Sequence, residues 1–268
     1  MADDTAATAA GTMRKGGVGR AVPGSRVLLP LSGIVFACAI WQLTVVVYDL
    51  PVIVLPPPWA VATSLSELVR SAAFWRDVGV SLFEFVCGYA LGTIAGIAVG
   101  ALMAESRFFR MTATPVIESL RFIVPFAWIP LTVLWFGTSY TGKILLVAYA
   151  VFFVMTVSTA RSVMHVDPTL TRVGTMLGMS RIELALRVHL RAAAPAIASA
   201  ARAAAAVGWI AVVAAEYVGA SAGLGVLITN AATSLQTGHV LAGMVVIGLI
   251  GAGVSGLIRR LSRSRLDY

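Results

Sequence analysis

Few side chains in this 268-residue sequence are equipped for chemistry, and their spacing gathers none of them into a reaction centre. The histidines His165, His189 and His239 are scattered, and the cysteines Cys38 and Cys87 lie inside apolar runs without metal-ligand spacing. No phosphate-binding glycine loop, dinucleotide fingerprint or Ser-His-Asp arrangement is present. The histidines therefore read as caps or interface residues, and the cysteines as packing residues. Three ionisable residues stand out because Glu84, Arg202 and Glu216 fall in or beside strongly apolar stretches. Charge in such surroundings is costly and faces a cavity, a partner group or the rim. Glu84 and Arg202 sit near the ends of their runs, where snorkelling accounts for them. Glu216 is followed by a small-residue stretch without a basic residue, and is a candidate for the outer end of a pathway. A chain so poor in chemistry draws the energy for any work from a gradient or from a partner.

The elements that must position these residues are set by composition. Apolar residues make up 59% of the chain and charged residues 12%, with a mean hydropathy of +0.90. Soluble domains carry roughly 25% charged residues. Residues 27–47, 122–142, 144–160 and 240–258 contain no charge, and runs of about 18 such residues are membrane spans. The pattern predicts spans at about 27–47, 78–103, 120–136, 143–163, 196–218 and 239–258. The third is interrupted by Pro125 and Pro130, so a broken span is expected there. Residues 1–26 read as a disordered polar tail. That head and the first apolar run are both too long for a cleaved leader, so the first span is expected to stay as an anchor.

Basic residues test this arrangement. Lys and Arg number 20 against 12 Asp and Glu, but they sit in the gaps between apolar runs rather than in a nucleic-acid-binding groove. The tail holds Arg14, Lys15, Arg20 and Arg26, and the next gap only Arg70 and Arg76. Then come Arg107, Arg110 and Arg121, Lys143 alone, and a group at Arg161, Arg172, Arg181, Arg187 and Arg191. Residues 217–239 have none, and Arg259, Arg260, Arg263 and Arg265 close the chain. High and low counts alternate as six spans with both termini in the cytoplasm require. The 167–195 stretch is then cytoplasmic.

Three local patterns refine the picture. Gly88, Gly92, Gly96 and Gly100 recur every four residues and make one smooth stripe for close helix approach. In the first outer loop, LPPPWAV leads into an amphipathic helix with Trp59, Leu65, Leu68, Val69 and Phe74 on its apolar face, at the membrane interface. Residues 167–195, DPTLTRVGTMLGMSRIELALRVHLRAAAP, carry a series of helix punctuation marks. Asp167 caps a short helix with Pro168 at its first position, and Leu170, Val173 and Leu177 share a side. Gly178 ends it, and Ser180 with Glu183 forms the capping box of a second helix running to about Ala194, before Pro195. This elbow is either an interfacial helix pair that only joins two spans or a segment that docks something in the cytoplasm. In the 125–137 segment, Pro125 and Pro130 break helix geometry, and Trp128, Trp135 and Phe136 either form a constriction or pack between spans.

The elbow's order of Asp-Pro, Gly, Ser-Arg and Pro, followed by an Ala-rich span ending VAAEYVGASAGLG, resembles the inner-membrane permease subunits of bacterial ABC importers. VPFAWIPLTVLWFGTSYTGKI and LPPPWAV narrow the resemblance to importers of sulfonates such as taurine, nitrate and related small anions. The similarity runs from about Leu55 to Leu261. It implies an all-α, polytopic Type I importer permease fold of about six spans with a cytoplasmic coupling helix. The expected organisation is a tail at 1–26, a first span and loop start at 27–54, a permease domain at 55–261 and a C-terminal tail at 262–268. The implied setting is the bacterial inner membrane, with a second permease copy, a dimeric cytoplasmic ATPase and an external substrate-binding protein. ATP and Mg belong to the partner ATPase, with no cofactor or metal on this chain and no nucleic acid among its partners. The coupling loop carried over is Asp167, Pro168, Leu170, Arg172, Val173, Gly174, Leu177, Gly178 and Ser180. The sequence departs from the family at Arg172-Val173-Gly174, where Glu-Ala-Ala is usual, and at Leu190-Arg191, where Leu-Pro is usual. A mid-helix Gly174 costs about 1 kcal/mol relative to Ala, which docking would have to offset. Pathway candidates are Pro125, Trp128, Pro130, Trp135, Phe136 and Glu216. The competing readings are a gradient-driven transporter or channel, disfavoured by the lack of an inverted repeat, a membrane-embedded structural partner, and an ABC importer for an aromatic carboxylate or pyrimidine-type precursor.

Overall fold

The computed structural model describes residues 25–264, all of whose regular elements are helical. Of the expected tails at 1–26 and 262–268, residues 1–24 and 265–268 lie outside the described residues, and the rest belong to the first and last helices. Helix α1 (Ser25–Val47) belongs to a unit of its own that ends at Asp49. Its 23 residues rise about 35 Å, enough to cross a hydrocarbon core of about 30 Å.

The second unit starts at Leu50 and contains the remaining helices. They are α2 (Pro58–Arg70), α3 (Ala72–Glu105), α4 (Arg107–Leu120), a 3-10 turn (Pro125–Trp128), α5 (Ile129–Phe136), α6 (Tyr140–Met164) and α7 (Pro168–Met176). A short α8 (Arg181–Glu183) runs through a π-helical segment (Leu184–His189) into α9 (Leu190–Gly219), before α10 (Leu224–Thr233) and α11 (Thr237–Ser264). Helices α3, α6, α9 with its lead-in, and α11 are each long and apolar enough to span a membrane. Helix α4 and the 125–136 segment are apolar enough only together, and they meet at 83°, the geometry of a broken span or a re-entrant loop. The expected interruption of the third span is therefore a sharp turn between two helices.

Helices α3, α6 and α9 make the core, and their contact is closest along the glycine stripe. A Cβ added at Gly88 would lie 2.5 Å from the Cβ of Val147, and one at Gly96 2.5 Å from the Cβ of Met155. At Gly92 it would meet the carbonyl of Ala148 at 2.5 Å, and at Gly100 that of Thr156 at 2.6 Å. The facing row on α6 has its own four-residue spacing, with Val147, Val151, Met155 and Thr159 all buried. Two straight rows thus meet without room for a methyl group between them. In lipid, where apolar burial between helices brings little, such close approach is what holds helices together. On the other side of the core, Phe85 packs edge-on against Trp209, whose Nε1 donates to the carbonyl of Ile247.

Three elements differ from the sequence reading. Helix α3 begins at Ala72 rather than at 78, so Phe74 belongs to it and not to the α2 face. In α2, Leu65 and Leu68 pack on the core while Trp59 is exposed, and Ser64 touches the start of α11 at Gly238. The amphipathic helix is thus seated on neighbouring helices, which gives its apolar side a protein partner. Helix α9 does not stop before Pro195 but carries it internally, continuous with the π segment. Pro removes one helical hydrogen bond, a loss that spans tolerate where neighbours re-satisfy the carbonyl.

Replacing Gly96 with Val should wedge α3 from α6 and destabilise the protein by about 1–3 kcal/mol, the usual penalty of overpacking. Gly79, on the same helix with nothing within 4 Å of an added Cβ, is the control and should accept Ala without loss. Thermal unfolding of the detergent-purified variants checks both.

Candidate functional site

Polar structure concentrates at the two ends of the α3–α6 pair. At one end Glu84 on α3 is fully buried and ion-paired with Lys143 on α6, itself only 6% exposed. Lys143 Nζ also lies 5.0 Å from the centre of the Tyr140 ring. Glu84 stands four residues before Gly88, and Lys143 four before Val147. The ion pair is therefore the last rung of the glycine ladder. Beside it Glu216 on α9 is 1% exposed, and its Oε1 accepts from the Ser81 hydroxyl at 2.5 Å.

These groups serve the first turn of α10. The amide of Gly225 donates to Glu216 Oε2 at 2.8 Å, that of Leu224 to Ser81 Oγ at 2.9 Å, and that of Gly223 to Asp77 Oδ1 at 3.3 Å. The first amides of a helix lack partners within it and favour negative charge, so acidic side chains from α3 and α9 cap α10 from outside. Gly223 has φ +129° and its added Cβ would collide with the Glu216 carboxylate, so a larger residue is excluded by both backbone and space. Sequence reasoning read residues 217–239 as a loop and missed α10. It also counted Lys143 as a loop charge and placed Glu84 at a span end, where the structure has both buried. The signal that was available is that Glu84 falls in register with the glycines.

At the other end lies the elbow, and its punctuation is as the residues foretell. Asp167 Oδ1 accepts from the Thr169 amide at 2.8 Å, which holds its carboxyl below the ordinary range. That cap is in place above the ordinary carboxyl pKa and is lost as pH falls through the lowered value. Gly178, at φ +76°, donates to the carbonyl of Thr175, and Met179 to that of Gly174. These two bonds are a Schellman motif. Ser180 and Glu183 exchange both bonds of a capping box. Gly174 itself is buried, and a Cβ there would lie 2.6 Å from Leu184 Cδ1. Packing of Leu184 against Gly174 is thus a reason within the chain for glycine at this position, beside the docking expected from the sequence. Of the departing triplet, only Arg172 and Val173 face outward. Leu170, Met176, Leu177 and Ile182 are exposed with them, Met176 at 84% and Leu177 at 76%.

A third feature is a cavity of about 570 Å³ walled by Trp128, Thr132, Trp135 and Phe136 on one side and by Leu91, Ala95 and Tyr149 on the other. Pro125 lines a separate depression with Arg121 and Phe153, and Pro130 is exposed in the first turn of α5. Glu216 is not in the wall of the aromatic cavity. The expected pathway residues therefore divide between an apolar cavity and a buried polar cluster.

A polytopic helical bundle with a solvent-exposed, capped elbow fits a membrane transport component. The family of binding-protein-dependent transport system inner membrane components matches residues 88–267, and the chain belongs to it. The taurine transport system permease protein TauC of Escherichia coli (strain K12) is 32% identical over 246 residues, 88% of this chain and 90% of that one. The nitrate import permease protein NrtB of Leptolyngbya laminosa is 29% identical over 185 residues, 69% of this chain and 66% of that one. Among solved structures, an inward-facing conformation of the MetNI methionine ABC transporter superposes with a TM-score of 0.63. It covers 72% of this chain and 95% of that one at 18% identity, a likeness of fold.

Replacing Lys143 with Met should leave Glu84 as an uncompensated buried charge and cost about 3–5 kcal/mol. Adding Glu84→Leu should recover most of that loss. A double-mutant cycle on thermal unfolding reads the difference, and additive losses would show that the two charges do not act as a pair.

Proposed function

We propose that this chain is the membrane-spanning subunit of an ATP-driven importer for a small anion of the sulfonate, taurine or nitrate kind. A cytoplasmic ATPase docks on the α7 elbow and an external binding protein delivers the substrate. The observation that carries the reading is the elbow: a short helix capped at both ends that presents Val173, Met176 and Leu177 to solvent. A flexible linker would need no such frame, and the exposed apolar groups give a docked partner surface to bury. The substrate class follows the relatives, TauC and NrtB, which are named for taurine and nitrate.

Charge placement supports the orientation. With Lys143 buried in an ion pair, the outer gaps between spans hold only Arg70 and Arg76, which sharpens the excess of Arg on the elbow side. Both termini and residues 161–195 then face the cytoplasm. The two-fold partner is a second copy of the same chain, with the permease domain at 55–261. The aromatic cavity at Trp128, Trp135 and Phe136 and the 125–137 bend lie along the path, and Glu216 shapes its outer end by holding α10. ATP and Mg bind the ATPase, whose closure pushes α7.

Met176→Asp with Leu177→Asp should reduce co-purification of the ATPase at least tenfold, because each apolar side chain buried on docking contributes about 1.5–3 kcal/mol. Both residues are exposed, so the thermal midpoint of the permease should not change. Undiminished ATPase retention in the double variant would count against docking at the elbow.

A further inference from the structure

The elbow is fastened to the transmembrane core by a bridge that passes through His189. This residue ends the π segment, and its imidazole stands between two other elements. Nδ1 lies 2.5 Å from Glu105 Oε1, on the last residue of α3. Nε2 lies 3.0 Å from the hydroxyl of Thr171, on α7. The carboxylate fixes the ring: Nδ1–H donates to Glu105. Nε2 then accepts from the Thr171 hydroxyl when the ring is neutral and donates to the same oxygen when it is protonated, so the bridge survives either state.

We infer that His189, held by Glu105 and in contact with Thr171, is the positioning residue that makes α7 move as one body with α3. This deepens the proposed docking role of the elbow and rests on it. Covalently, α7 is joined to α6 only by the turn at 165–167, which on its own would let a pushed helix swing. Two contacts prevent that: Leu184 packs on Gly174, and His189 holds Thr171. Both come from the π segment, a local widening of the helix of the kind often found at functional positions. Leu184 and His189 tie α7 to the π segment, and the His189–Glu105 hydrogen bond carries the tie on to the end of α3 nearest the elbow. Because α3 is locked to α6 by the glycine ladder, displacement of the elbow reaches the whole pair. Glu105 at the C-terminal end of α3 faces the helix dipole unfavourably, and the imidazole beside it gives its carboxylate a donor.

The experiment uses the complete complex of permease and ATPase, with Cys38 and Cys87 replaced by Ala and spin labels at Leu102→Cys on α3 and Thr169→Cys on α7. Distances are measured without nucleotide and with ATP. In the wild-type background the inference expects one narrow Leu102–Thr169 distance within each subunit, separated from the longer inter-subunit distances by spin dilution with unlabelled permease, and the same in both states. His189→Ala should add a second population that grows with ATP. Glu105→Ala should do the same and the double variant no more, whereas Glu105→Gln, which keeps an acceptor, should stay near wild type. Thr171→Val, which removes only the elbow half of the bridge, reads the same link should His189→Ala fail to fold. A wild-type distance that shifts with ATP, or a folded His189→Ala or Thr171→Val that matches wild type in both states, overturns the inference alone. Failure of the ATPase to co-purify with the wild-type permease overturns the docking reading, and the inference with it.

Discussion

Helices α3 and α6 meet along two rows of residues spaced by four, and most of the protein is arranged around that contact. Glycine supplies one row and Val147, Val151, Met155 and Thr159 the other, so backbone lies against side chain with no space left over. Packing of this kind does not slide gradually, because each glycine is seated directly against one residue of the other row. The rows continue in one direction into the Glu84–Lys143 ion pair. A glycine ladder fixes distance, and the charged rung fixes register, since a shift along the helices would strand both charges in an apolar interior. The pair therefore behaves as a single rigid bar.

Two polar clusters are attached to the ends of that bar. At the ion-paired end, Asp77 and Ser81 on α3 and Glu216 on α9 receive the first amides of α10 and hold a short helix that could not stabilise its own terminus. At the elbow end, Glu105 receives His189. A transporter driven by a partner must carry motion from the docking point to the path, and a stiff bar with an elbow fastened to its end is a simple way to do so. The bent pair of α4 and the 125–136 segment stands beside the bar, and the aromatic cavity lies between them. Movement of the bar would change that cavity directly.

How much of this was legible depends on how local the physics is. The caps of the elbow were readable because Asp167, Gly178, Ser180 and Glu183 act on amides and carbonyls within a few residues of themselves. The glycine stripe was readable as a face, though not as a contact with α6, because periodicity says which side of a helix is smooth and not what meets it. Lys143 was miscounted for the same reason: a lone Lys at the start of an apolar run looks like a loop charge until its partner on another helix is known. Helix α10 escaped because its stability is borrowed from α3 and α9 rather than encoded in its own small-residue sequence. Pro195 signalled a helix end, and the continuous run through the π segment into α9 overrode that local preference. Family resemblance did what pattern alone did not, by suggesting what the elbow touches.

The account stands on the claim that ATP hydrolysis by a docked partner drives this chain. The most direct measurement is uptake of whichever labelled anion the binding protein retains into proteoliposomes holding the permease and its ATPase, with the binding protein outside. It is compared with ATP in the lumen and with ion gradients alone. The account predicts uptake that requires hydrolysable ATP and persists when proton and sodium gradients are collapsed. Uptake driven by a gradient without ATP would contradict it.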